Sequence, residues 1–175
     1  MLVTVSLLGY DDLEAMLKIQ AKIAPRIVLM SKINDHPTSG TIHIVIVYDD
    51  PGKKEYAIKL KEQMLYNYPN GLSKRALNIS LIQADAFASA PKGALVFFWQ
   101  ISAQKTKKIV KLTQHQGVIT MAFSEVAMES GVMASLHVSR YVKPILNVAA
   151  AHDANITFDS TLLSISKIYK LKEPQ

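Results

Sequence analysis

The sequence predicts an α/β fold in which a mainly parallel sheet is flanked by helices and a C-terminal antiparallel hairpin is added at one side. Three observations lead there. Residues 41–48, Thr-Ile-His-Ile-Val-Ile-Val-Tyr, form an almost unbroken apolar, β-branched run, the pattern of a strand buried on both faces inside a parallel sheet. Helix-like and strand-like segments then alternate along the chain, and parallel strands joined through helices need those helices on the sheet faces. Residues 131–138 and 141–147 are separated only by Ser139 and Arg140, a connection that can join antiparallel neighbours only.

Asp11 or Asp12 can cap an opening helix, with Glu14 completing a capping-box-like pattern. Leu13, Met16, Leu17, Gln20, Ala24, Ile27 and Val28 follow at helical spacing, and Pro25 is expected to kink or divide this helix. Residues 34–40 are a turn-rich loop leading into strand 41–48. Asp50 stands at an N-cap with Pro51 at the favoured first helical position. The helix they open runs to about Tyr66 with Ala57, Leu60 and Met64 inward, and Tyr68-Pro-Asn-Gly71 stops it. Strands are expected at 76–84 and 93–99, with a loop containing Pro91 between them. Ser102 caps a helix that turns Ile109 and Leu112 inward, and 117–123 makes a fourth strand.

In the hairpin, Val132, Ala134, Leu136 and Val138 alternate with Met133, Ser135 and His137, so Ser135 is expected to face solvent. Pro144 lacks an N–H for a ladder bond and is expected at an edge or facing outward. A short Ala-rich helix at 148–153 and a final helix at 160–171, with Leu162, Ile165 and Tyr169 on one side, close the chain. There is no internal repeat, low-complexity tract or linker. A length of 175 residues with 49% apolar content therefore suggests one domain over 1–175.

The formal charge is +6, but the 20 Lys and Arg residues are spread without a run of five or more and aromatics do not interleave with them, so nucleic acid is not an expected partner. Lys105, Lys107, Lys108 and Lys111 form a basic helical segment that reads either as a solvated face or as a contact for an acidic protein or membrane surface. With no cysteine, disulfides, thiolate metal sites and a Cys nucleophile are excluded. His36, His43, His115, His137 and His152 show no His-x-x-x-His or His-Glu-x-x-His spacing, so no metal is expected. No Gly-x-Ser-x-Gly elbow and no Walker or dinucleotide phosphate cradle occurs, so neither catalysis nor a cofactor is expected.

Ile46-Val-Tyr-Asp49-Asp50-Pro51 superficially suggests the acidic, magnesium-holding pocket of a receiver domain. Such a pocket also needs a phosphorylatable carboxylate at another strand end, and 93–99 ends in Phe97-Phe98-Trp99-Gln100 instead. The alternative is that Asp50-Pro51 simply starts a helix. Ligands of open α/β sheets bind outside the carboxyl ends of the strands. Tyr48, Asp49, Asp50, Trp99, Gln100 and Ser124 are therefore the candidate ligand- or partner-binding residues, with Trp99 also readable as core.

Gly131-Val-Met-Ala-Ser-Leu-His-Val, Ile145-Leu-Asn147, Ala149-Ala150, Ile156-Thr-Phe158 and Leu162-Leu163 resemble the closing pattern of the YfiR-like family, and Ile46-Val-Tyr-Asp-Asp-Pro51 resembles its central strand and following turn. The likeness covers about residues 41–169. It implies a Rossmann-like α/β fold, a periplasmic location, frequent dimerisation, and repression of a membrane diguanylate cyclase by binding its periplasmic sensor region. The competing reading is a periplasmic solute-binding module whose ligand is held by Tyr48, Asp49, Trp99 and Ser124. Two features depart from the family: it commonly carries disulfide-forming cysteines, absent here, and Ile27-Val-Leu-Met30 stands where Trp-Pro is often found. Disulfide-based redox control therefore cannot operate. Residues 1–9 are apolar but too short to span a bilayer and lack a basic start, so a signal peptide is expected upstream of this numbering.

Overall fold

The computed structural model describes residues 10–33, 40–138 and 140–170; the expected 34–40 loop, all but Gly40, and Ser139 of the hairpin connection lie outside the described residues. Helix α1 (Tyr10–Leu29) continues through Pro25. Asp12 thus lies within its first turn rather than at its cap, where a carboxylate suits the positive end of the helix dipole. Pro25 forfeits one backbone bond, but Ala21, Ala24, Ile27 and Val28, all buried, hold the helix against its neighbours through that point. Strand β1 (Ser31–Ile33) follows. It pairs antiparallel with β8 (Ile156–Phe158) as a small separate sheet, a pairing invisible in the sequence because three residues are too few to show a period.

The main sheet begins with β2 (Ile42–Tyr48), whose chain turns through a 3-10 segment (Pro51–Lys53) into α2 (Lys54–Asn67) and on to β3 (Leu77–Gln83). It then returns past β2 to β4 (Leu95–Trp99), and α3 (Ala103–Thr113) carries it to β5 (Ile119–Ala122). After a second 3-10 segment (Glu125–Ser130) come β6 (Ala134–Val138) and β7 (Val142–Leu146). The spatial order is β3-β2-β4-β5-β6-β7-β9, parallel from β3 to β6 and antiparallel between β6 and β7. This is the Rossmann-like architecture expected, in the doubly wound order in which the first strand sits between the second and third.

Alternate residues of the strands feed two cores, as a period of two requires. Ile44, Ile46, Leu95, Phe97 and Met121 pack on one face with α1 and α2, while Val45, Val47, Val96, Phe98 and Ala122 pack on the other with Ile109 of α3 and Met128. On α3 the buried line is Thr106, Ile109 and Thr113. Leu112, expected inward, is 39% exposed, because it falls on the outer side of that line. Ser135, expected at the surface, is fully buried with its hydroxyl donating to the Ala122 carbonyl at 3.0 Å. The alternation was real, but the second core covers the face that it was expected to turn to water.

The C-terminal region holds α4 (Val148–Asp153), α5 (Ser160–Ile165) and β9 (Lys167–Ile168). The final helix therefore stops at Ile165 rather than running on toward 171. Ser166 turns extended and its hydroxyl donates to the Leu162 carbonyl, after which β9 joins β7 in parallel at Ile145 and Leu146. An open sheet edge offering backbone partners outweighs another helical turn whose Ile165 is 52% exposed. Since β9 reaches only those two residues, β7 is itself the edge at Pro144, where a missing donor costs nothing. Among the described residues no helix is long and apolar enough to cross a membrane.

Candidate functional site

Strands β2 and β4 lie side by side with Tyr48 opposite Trp99. The chain leaves β2 toward β3 and leaves β4 toward β5, so the loops after the two strands diverge and open a crevice at their carboxyl ends. Asp49, Asp50 and Gln100 follow directly and form its rim. Asp50 caps the 3-10 segment, accepting from the Lys53 N–H at 3.2 Å. Lys53 in turn sends its ammonium across the crevice to the Gln100 carbonyl at 2.8 Å. Gln100 has φ +45°, the left-handed conformation that non-glycine residues rarely adopt and that recurs at functional loops.

Asp49 is the centre of the site. Its carboxylate accepts from Lys105 Nζ at 2.6 Å and from the Ser102 N–H at 3.4 Å, while its carbonyl accepts from Gln83 Nε2 at 3.2 Å. Lys105 Nζ also donates to Asp85 at 2.9 Å. Asp85 lies in the 3-10 turn (Ala84–Ala86) after β3, so one ammonium clasps groups that follow β3 and β2 to the first turn of α3, after β4. The Lys105 hydrogen bond, aided by Ser102, holds the Asp49 carboxyl below the usual carboxylate range against the opposing effect of burial. Asp49 and then Asp85 push the Lys105 ammonium above its usual value. Both partners stay charged through neutral pH, which suits electrostatic recognition and is the opposite of the tuning a general acid or base near neutrality needs.

Asp49, Asp50 and Gln100 thus come together. Tyr48 and Trp99 face away into the first core, as the alternation of a strand demands. Trp99 is fully buried, stacked on Tyr56 at 6.1 Å and edge-on to Phe123 at 4.5 Å, and Gln20 of α1 donates to the Phe123 carbonyl. The aromatic floor considered for a strand-end ligand pocket is therefore packing beneath α1 and α2. Ser124 stands one strand further along, where its hydroxyl accepts from the Val126 N–H and starts the second 3-10 segment.

Lys53, Asp85 and Lys105 were not singled out as site residues from the sequence. Lys105 had been grouped with the basic helix face. The available signal was its place three residues after the Ser102 cap, because the first turn of a helix following β4 stands over the end of β2. Among the described residues no group of three or more His, Asp or Glu is placed to hold a metal ion. A second polar cluster lies beyond β5: Glu125 pairs with His137 of β6 at 2.7 Å and with Lys167 of β9 at 3.6 Å. The His137 hydrogen bond, then Lys167, lowers the Glu125 pKa. Away from the rim, α1 and α2 enclose a groove of about 390 Å³ lined by Lys18, Tyr56, Lys59, Glu62 and Tyr66 among others, a volume within the range of small-molecule sites.

No curated protein matches the chain. Among solved structures, a conserved domain protein from Vibrio cholerae O1 biovar El Tor superposes with a TM-score of 0.60 at 14% identity, covering 88% of this chain and 60% of that one. At that identity the likeness speaks for the fold alone, and the chain spans less than two thirds of that structure's length. The YfiR/HmsC-like family model matches residues 18–167, from α1 to β9, and takes in both the central Asp49-Asp50-Pro51 turn and the closing hairpin region. The chain therefore belongs to the YfiR/HmsC-like family, a family of periplasmic regulators linked to cyclic-di-GMP control.

Proposed function

We propose that the chain acts, as one domain, as a periplasmic binding regulator that represses a membrane diguanylate cyclase through the cyclase's periplasmic sensor region. The observation that carries this reading is the clasped rim at the β2–β4 crevice. Asp49, Asp50 and Gln100 are set on strand ends by Lys53 and Lys105, with the Asp49 charge held rather than poised for proton transfer. Repression of this kind needs no chemistry: a regulator that binds one state of a sensor more tightly shifts the sensor by that difference in affinity. The edge of the β6–β7 hairpin, where Val138 is 50% and Val142 36% exposed, supports self-association as a second contact, since unpaired sheet edges invite pairing.

The test exports the chain into the periplasm of cells that carry a membrane diguanylate cyclase with a periplasmic sensor region, and reads cellular cyclic-di-GMP. The wild-type chain should lower it, and Asp50→Ala with Gln100→Ala should restore it while the far-ultraviolet circular dichroism stays unchanged. Cyclic-di-GMP indifferent to the wild-type chain overturns the proposal. The solute-binding alternative loses its aromatic floor to the core but finds support in the α1–α2 groove. Saturable quenching or shift of Trp99 fluorescence by a periplasmic solute, transmitted through the stacked Tyr56, would favour it.

A further inference from the structure

Helix α3 carries a strongly one-sided charge. Its sequence, Ala-Gln-Lys-Thr-Lys-Lys-Ile-Val-Lys-Leu-Thr, holds four lysines and no acidic residue. Lys105 turns into the clasp. Lys107, Lys108 and Lys111 are exposed and, at 3.6 residues per turn, fall with Gln104 within an arc of roughly 100°. That arc lies opposite the buried line of Thr106, Ile109 and Thr113. None of the three makes an ion pair among the described residues. Elsewhere Lys18, Lys53 and Lys59 each meet a carboxylate three or four residues away, a neutralisation that the composition of α3 denies to its own lysines. Lys92 is also exposed, in a loop whose Gly93 N–H donates to the Gly117 carbonyl at 2.8 Å, shortly after the C-terminal end of α3.

The make-up of the face selects its partner. It presents no arginine and no aromatic side chain, the residues that protein interfaces enrich, and it is built from lysine, which they deplete. Lysines on flexible stems act as point charges that can follow mobile headgroups, and each contributes to attraction toward an anionic leaflet. Leu112, 39% exposed at the margin, is an apolar side chain able to lie at the headgroup boundary. We propose that this face of α3, with Lys92, docks on an anionic phospholipid bilayer. Docking holds the protein in the plane of the membrane, where a membrane-anchored partner meets it at raised effective concentration. The proposal goes beyond the regulatory reading and stands without it, since the vesicle sedimentation that decides it contains no cyclase.

The purified chain is sedimented with vesicles of pure phosphatidylcholine and with vesicles of equal parts phosphatidylcholine and phosphatidylglycerol, at low and high salt. It should partition onto the mixed vesicles only, and lose this at high salt as exposed charges are screened. A juxtamembrane lysine is worth about a five-fold change in partitioning, so Lys107→Gln, Lys108→Gln and Lys111→Gln together should reduce it on the order of 100-fold. The triple arginine variant should partition like the wild type, and so should a charge-matched control with Lys18→Gln, Lys22→Gln and Lys54→Gln. Absence of partitioning by the wild type, or an equal loss in the control, overturns the proposal. So does a wild type that ignores both vesicles while its α3 triple variant fails to repress a cyclase, for then an acidic protein occupies the face.

Discussion

Trp99→Ala tests which way β4 presents its last residue. The ring is 0% exposed and held between Tyr56 and Phe123. A buried tryptophan removes about 150–250 Å² from water. At about 25 cal/mol per Å², and with the alanine methyl retained, truncation forfeits about 3–4 kcal/mol of transfer free energy. The edge-on contact with Phe123 adds about 0.5–1.5 kcal/mol. Against this, the indole N–H has no acceptor among the described residues, and removing an unpaired buried donor returns about 1 kcal/mol. The expected loss is about 2.5–4.5 kcal/mol, overlapping the usual range for truncating a core aromatic. Urea unfolding followed by far-ultraviolet circular dichroism reads it, because the substitution removes the sole tryptophan. Trp99→Phe, which discards the unpaired N–H while keeping a ring, should cost only about 1–2 kcal/mol. A loss below about 1 kcal/mol for Trp99→Ala, together with abolished regulation, would refute the packing argument and return Trp99 to the binding site.

The two sides of β6 should respond oppositely to charge. Ser135→Glu buries a carboxylate between two layers and should cost at least about 3 kcal/mol, whereas Val138→Glu at the exposed tip should leave the unfolding midpoint nearly unchanged and lower the mass seen by light scattering if the hairpin edge joins two copies; equal stability of the two variants would contradict the burial assignment. Lys105→Met removes the ammonium shared by Asp49 and Asp85, so the Asp49 carboxyl should titrate higher when followed by NMR, and an unmoved titration would mean the clasp does not form in solution. Asp49 and Glu125 both have folded-state pKa values below their ordinary ones. Their stabilisation is therefore fully present above the unfolded carboxylate pKa of about 4 and is lost as pH falls below it. Glu125→Gln should flatten this acid limb of the urea midpoint, and a midpoint that rises on acidification would be incompatible with the ion pairs.

The strand at 42–48, the Asp50-Pro51 helix start, the Ser102 cap and the β6–β7 hairpin were legible because each is a local pattern: a period, a cap or a loop length. So was the family likeness, which rests on the same segments. The placement of Asp49, Asp50 and Gln100 at neighbouring strand ends follows from a topological rule, that parallel strands open their loops on one side. The clasp was not found, since Lys105 lies 56 residues from Asp49 and 20 from Asp85. Sequence periodicity carries no information about which strand ends become neighbours. That depends on the crossover which takes the chain from β3 back past β2 to β4. For the same reason Ser135 looked like a surface residue until a second layer covered it, and the closing helix gave way to β9 once the edge of β7 offered its backbone. Apolar period and capping chemistry act over a few residues and are determined by the sequence alone. Burial of a given face and the pairing of a given charge depend on which elements the core brings together, and only the tertiary structure decides them.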